Sequence, residues 1–232
     1  MPSTAHREWP HGLIWAGLVL VSAPIGIYAL RYWSGDPALL PFELRVNLLH
    51  NPPAFILHTT FGGLALLLAP WQFVSRLRQR WPRLHRWIGR VYVGCCLISG
   101  LAAYPVAFGT IAGPIATAGF SLMATAWLVT TAVAFGAAWR RKFAAHRRWM
   151  VRSFALSLSA VTLRVALLIP IYWPVPFMPF YRSTAWLSWS VNLLLAELWL
   201  RWADRPRAQL VSAGTQGLAG AGTRAQTSSG RA

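Results

Sequence analysis

A chain of 232 residues with 56% hydrophobic and only 12% charged residues carries about half the charge of an ordinary soluble domain, for which about 25% is usual. Together with a mean hydropathy of +0.43, this excludes a conventional water-soluble fold and predicts an all-α, polytopic membrane helix bundle. Twenty-two bases stand against five acids, a formal charge of +17. In a soluble domain that balance suggests nucleic-acid binding. Here the bases lie between long apolar runs, which points to the membrane surface and its lipids and away from nucleic acid.

Six runs reach the roughly 17–25 residues that cross a hydrocarbon core: 13–30, 54–74, 87–108, 114–138, 151–172 and 184–202. The first resembles a signal peptide in position. No small-residue cleavage site follows it, and Arg31 and Tyr32 close it as they would a retained span. The connection 31–53 contains Leu39, Leu40, Phe42, Leu44, Leu48 and Leu49, a pattern suited to a short interfacial helix. The connection 75–90 then holds Arg76, Arg78, Arg80, Arg83, Arg86 and Arg90. The connection 139–152 holds Arg140, Arg141, Lys142, Arg147, Arg148 and Arg152. Segment 173–183 has Pro174, Pro176 and Pro179 among aromatics; this predicts an irregular belt at headgroup level or a lid over a site. From Ala208 the composition turns to Gly, Ala, Ser, Thr and Gln, predicting a disordered cytoplasmic tail over 208–232.

Basic loops are retained in the cytoplasm. The alternate connections carry only Arg31, Arg45 and Arg182, so six spans place both termini inside. The sequence also echoes itself. His85-Arg86-Trp87-Ile88-Gly89-Arg90-Val91-Tyr92 resembles His146-Arg147-Arg148-Trp149-Met150-Val151-Arg152-Ser153-Phe154 with one inserted arginine. Both copies open a span after an arginine-rich turn, which suggests that spans two to five form a core of two related hairpins.

Polar residues inside spans are costly and call for an explanation. They sort by depth into two layers. The outer layer has His58, near the outer end of span two, and Arg164, thirteen residues after Val151 and so about 20 Å along a helix rising 1.5 Å per residue. Glu197 is shallower by roughly 10 Å on the same count, so Arg164 needs another partner, for which a ligand carboxylate or phosphate would serve. His58 reads either as a polar residue satisfied between helices or, with Arg164, as a proton relay or quinone-headgroup contact.

The inner layer has His85, His146 and Glu197 amid the arginines. One reading is an interfacial pair bonded to backbone or lipid headgroups, beside arginines that enforce topology. The other is a bis-histidine site for b-type haem, with Arg86, Arg90, Arg147 and Arg152 near the propionates and electron exchange with a quinone. The echo maps His58 onto Gly119, so a second, symmetric haem lacks a ligand. Cys95 and Cys96 are adjacent in an apolar run and diverge by roughly 100° on a helix; they read as packing residues. No thiolate metal set, Walker loop, zincin motif or Ser–His–Asp set is present, and five acids are too few for paired-carboxylate hydrolysis.

Four motifs in order carry a family resemblance: His58-Thr59-Thr60-Phe61-Gly62-Gly63, Ala69-Pro70-Trp71-Gln72-Phe73, Leu84-His85-Arg86-Trp87-Ile88-Gly89-Arg90-Val91-Tyr92 and Ala145-His146-Arg147-Arg148-Trp149-Met150-Val151-Arg152-Ser153. Over about 51–164 the chain resembles the domain-of-unknown-function 2306 family of bacterial membrane proteins. The resemblance implies a plasma-membrane location and no established activity. By layout alone it is also similar to cytochrome b561-type helical cores, where ligand histidines pair across alternate helices. His85 and His146 match one such pair; the other pair is broken at Gly119.

Overall fold

The structure, a computed structural model, describes residues 9–40 and 42–228, with side chains described over 12–13, 15–40 and 44–203. The described residues are mostly helical and contain no strand. They comprise α1 (Trp9–Leu30), α2 (Phe42–His50), α3 (Pro52–Gln72), α4 (Ser75–Arg80), α5 (Pro82–Phe108), α6 (Pro114–Trp139), α7 (Phe143–Ser157), α8 (Ser159–Ala166), α9 (Ile169–Tyr172) and α10 (Phe177–Ser228). The chain divides into the units Met1–Leu193 and Leu194–Ala232.

Local chemistry sets the helix boundaries. Asn51 accepts from the Ala54 amide at 3.1 Å, and Pro52 opens α3, where the missing N–H of proline costs nothing. Pro82 and Pro114 open α5 and α6 in the same way. At the end of α6, Arg141 takes the left-handed conformation with φ 58°. The Lys142 and Arg141 amides then return to the carbonyls of Ala137 and Ala138 at 2.8 and 3.0 Å, the paired closure of a Schellman turn. That tight stop sends α7 back alongside α6.

Five helical stretches are long and apolar enough to cross a membrane: Trp15–Ser34, Pro52–Gln72, Pro82–Phe108, Pro114–Trp139 and Phe143–Tyr172. The sixth expected span, 184–202, forms part of α10 and is not among them. Its Trp, Ser, Asn192 and Glu197 content dilutes the hydropathy. Leu13, Leu20 and Ile27 repeat every seven residues along α1, each more than 60% exposed. Such an unburied apolar stripe suits lipid rather than water. Exposed Trp81, Trp87 and Trp139 at one end, with Trp33, Tyr172 and Trp173 at the other, form the two aromatic girdles of an embedded bundle.

The main buried cluster draws on α3, α5, α6 and α7 alone: Ala65, Ala69, Tyr92, Cys95, Cys96, Trp127, Ala134, Met150, Phe154 and Leu156. Spans two to five are therefore the core, with α3 paired most extensively to α5 and α6 to α7. Both cysteines are free and buried within it. α1 adds to α3 through small residues. A Cβ on Gly63 would come within 2.9 Å of the Gly26 carbonyl and 3.0 Å of the Ala29 Cβ, so the backbones cross closely.

The fifth span lies within one helical stretch, Phe143–Tyr172; its backbone tightens at Leu158 and at 167–168 but stays right-handed helical. The Ser157 and Ser159 hydroxyls donate to the carbonyls of Ser153 and Leu156, and such local bonds compete with the helical ladder. Segment 173–183 is irregular only to Pro176. Pro179 lies in the first turn of α10, where an amide has no helical partner to lose. The α10 backbone is helical through Ser228; the side chains beyond 203 and residues 229–232 of the expected tail lie outside the described residues. The connection 31–53 does contain a helix, α2, and Leu40 and Leu48 pack inward with Tyr32 and Phe55.

Candidate functional site

Two polar layers occupy opposite ends of the unit Met1–Leu193. At the arginine-rich end, His85 stands in the first turn of α5 and His146 in the first turn of α7. Two turns further along each helix, on the same face, lie Tyr92 and Ser153. The Tyr92 hydroxyl bonds to the Ser153 hydroxyl at 2.9 Å, across 61 residues of sequence. The faces that carry the two histidines are therefore turned towards each other. Consistent with this, His146, Arg78 and Arg86 are all near enough to act electrostatically on His85.

The His146 Nδ1 lies 2.8 Å from the Ala134 carbonyl. A carbonyl only accepts, so Nδ1 carries the proton and Nε2 keeps its lone pair. This is the backbone bond that fixes a metal-ligating imidazole in place. His85 is half-buried, and its Nδ1 is buried with no hydrogen-bond partner among the described residues. Nearby, Gln72 ends α3. Its Oε1 lies 3.0 Å from where a Gly89 Cβ would stand, one turn past His85, and its Nε2 is likewise buried and unpaired. Arg86, Arg90 and Arg147 are exposed around this site, while half-buried Arg152 sets its guanidinium carbon 4.6 Å over the Trp149 ring.

This donor set fits a b-type haem in two respects. It offers imidazoles on two facing helices, one with its tautomer fixed. It also leaves an orphaned buried nitrogen on the second imidazole, with guanidinium groups at the adjoining surface. Among the described residues no group of three or more His, Cys, Asp or Glu could hold a bare metal ion.

The layer between the ends was not foreseen from the sequence. Ser153 also bonds to Thr131 at 2.7 Å, and Ser157 bonds to Tyr92 at 3.2 Å and accepts from the Trp127 indole at 3.1 Å. The network ties α5, α6 and α7 together and satisfies its members inside an apolar core. Its only sequence signal was the seven-residue spacing from each histidine to a hydroxyl-bearing residue.

At the opposite end, the His58 Nδ1 donates to the Ser99 carbonyl at 3.0 Å, while the Ser99 hydroxyl donates to the His58 carbonyl at 2.8 Å. Gly62 leaves room for that hydroxyl, which a Cβ there would meet at 3.0 Å. His58 is thus satisfied between α3 and α5, the first of the two readings of this residue. Gly119 has no room for a histidine side chain, because a Cβ there would stand 2.9 Å from the Ala185 carbonyl.

Arg164 lies in α8, and its Nη1 donates to the Ala160 carbonyl at 2.9 Å. His58, Tyr28, Tyr32 and Tyr181 are near enough to interact with it electrostatically. No carboxylate among the described residues does so. An ionised side chain within a span is costly, and one bond to its own helix leaves most of the five donors of Arg164 unused.

No match was found for the chain among curated proteins or among solved structures. A family model described as predicted membrane protein, DUF2306, matches residues 55–200, which takes in the helical core, both histidines of the arginine-rich end, and His58 with Arg164. The chain therefore belongs to this membrane-protein family, whose function is unknown.

Proposed function

We propose that the chain is a redox protein of the bacterial plasma membrane with one b-type haem at its arginine-rich end, which His85 and His146 would hold. The observation that carries this reading is the confrontation of the two imidazole-bearing faces, registered by the Tyr92–Ser153 bond. The Ala134 carbonyl holds the His146 ring by its Nδ1–H and leaves Nε2 free to ligate. Arg86, Arg90, Arg147 and Arg152 would neutralise the propionates. When bound, the haem supplies reversible one-electron transfer, and a membrane quinone is the electron partner we assign to it. The arginine-rich connections face the cytoplasm with both termini, as their charge requires, and also meet anionic lipid headgroups.

The test is spectroscopic. The full chain is expressed with a haem supply, purified in detergent and scanned oxidised and after dithionite. A Soret band, with sharpened visible bands on reduction, is expected at one haem per chain. A colourless preparation rejects the reading.

A further inference from the structure

The opposite end carries an inference independent of the haem. We propose that Arg164, with Tyr28, Tyr32 and His58, forms a binding site for an anionic phosphate group that is not part of the protein. The first support is direction. An arginine near a membrane boundary ordinarily extends its head to the headgroup water. Arg164 instead turns one helical turn back, towards the middle of the bundle, to reach the Ala160 carbonyl.

The second support is company. Three phenols and an imidazole lie within electrostatic reach of the guanidinium, and no described carboxylate does. Tyr32 is 2% exposed and Tyr181 9%, so these two phenols are held in place by packed clusters, while Tyr28 is exposed. Phenols donate to an anion, and a guanidinium presents several N–H groups in a planar fork suited to phosphate oxygens. Because the His58 Nδ1–H is committed to Ser99, its Nε2 remains an acceptor for a hydroxyl beside the anion. The shared chemistry is a phosphate with a neighbouring hydroxyl, which either a phosphatidylglycerol headgroup or free inorganic phosphate provides.

Native mass spectrometry of the full chain in a neutral detergent separates these sources. Short-chain phosphatidylglycerol, short-chain phosphatidylcholine and inorganic phosphate are titrated in parallel. Wild type is expected to retain one tightly held anionic equivalent. In Arg164→Gln its affinity should fall at least about tenfold, because a charge-assisted contact is removed. Arg182 sits at the same end, with its Nε donating to the Ala112 carbonyl at 2.7 Å, so Arg182→Gln should keep the ligand. Selective retention of phosphatidylglycerol assigns a lipid headgroup; binding of inorganic phosphate without the lipid assigns a soluble anion. Equal binding by wild type and Arg164→Gln, or equal retention of phosphatidylcholine, overturns the proposal. If Arg164→Gln does not fold, Tyr32→Phe decides: it removes one hydroxyl and should weaken binding about threefold, and unchanged affinity overturns the proposal.

Discussion

The two ends of the bundle use the same residue types in opposite ways. At the arginine-rich end, Arg76, Arg78, Arg80, Arg83, Arg86 and Arg90 are all exposed, while the His85 ring is drawn inward with a buried, unpaired nitrogen. At the other end the arginine is drawn inward and turned towards the core, while the histidine has both its ring N–H and its carbonyl engaged by Ser99. Exposed guanidiniums in a loop set orientation and need no specific partner, since water and headgroups solvate them. A guanidinium within a span has less of that solvent and must find acceptors. Depth, rather than residue identity, separates the exposed loop arginines from the one assigned a ligand.

The sharpest way to break this contrast is at the crossing that seats α1. A side chain at Gly63 would collide with the Gly26 carbonyl and Ala29, pushing α1 away and with it Tyr28 and the buried Tyr32. Gly63→Leu should cost about 1–3 kcal/mol of stability, read as a lowered unfolding midpoint in detergent. The loss should be accompanied by loss of ligand at the Arg164 end, with the arginine-rich end spared. A smaller effect is expected midway between the ends. Tyr92→Phe removes the hydroxyl that faces Ser153 and Ser157, but Ser153 keeps Thr131 at 2.7 Å and Ser157 keeps the Trp127 indole at 3.1 Å. It should therefore cost about 1 kcal/mol. A much larger loss would mean that the network, and not apolar packing, holds the two hairpins together.

What the sequence revealed, and what it did not, follows from the range of each signal. Apolar runs and loop arginines are local, and they correctly outlined a helical membrane bundle with a core in spans two to five. The depth sorting of His58 with Arg164 and of His85 with His146 was legible because a helix advances by a fixed rise per residue. The local tightening at Leu158 was not, because it depends on where the Ser157 and Ser159 hydroxyls find acceptors. Nor was the reciprocal His58–Ser99 bond, which joins residues 41 apart through a space left by Gly62. Proline density misled at 173–183, since the rule that excludes proline from helices lapses in a first turn.

The central claim is that His85 and His146 confront each other and share one ligand. It is tested most directly by recording dithionite-reduced spectra of His85→Ala and His146→Ala beside the wild-type chain, with haem-to-protein ratio and unfolding midpoint measured on the same samples. The account predicts that each variant alone loses the haem band while still folding. Survival of the wild-type band in either variant would contradict the pairing.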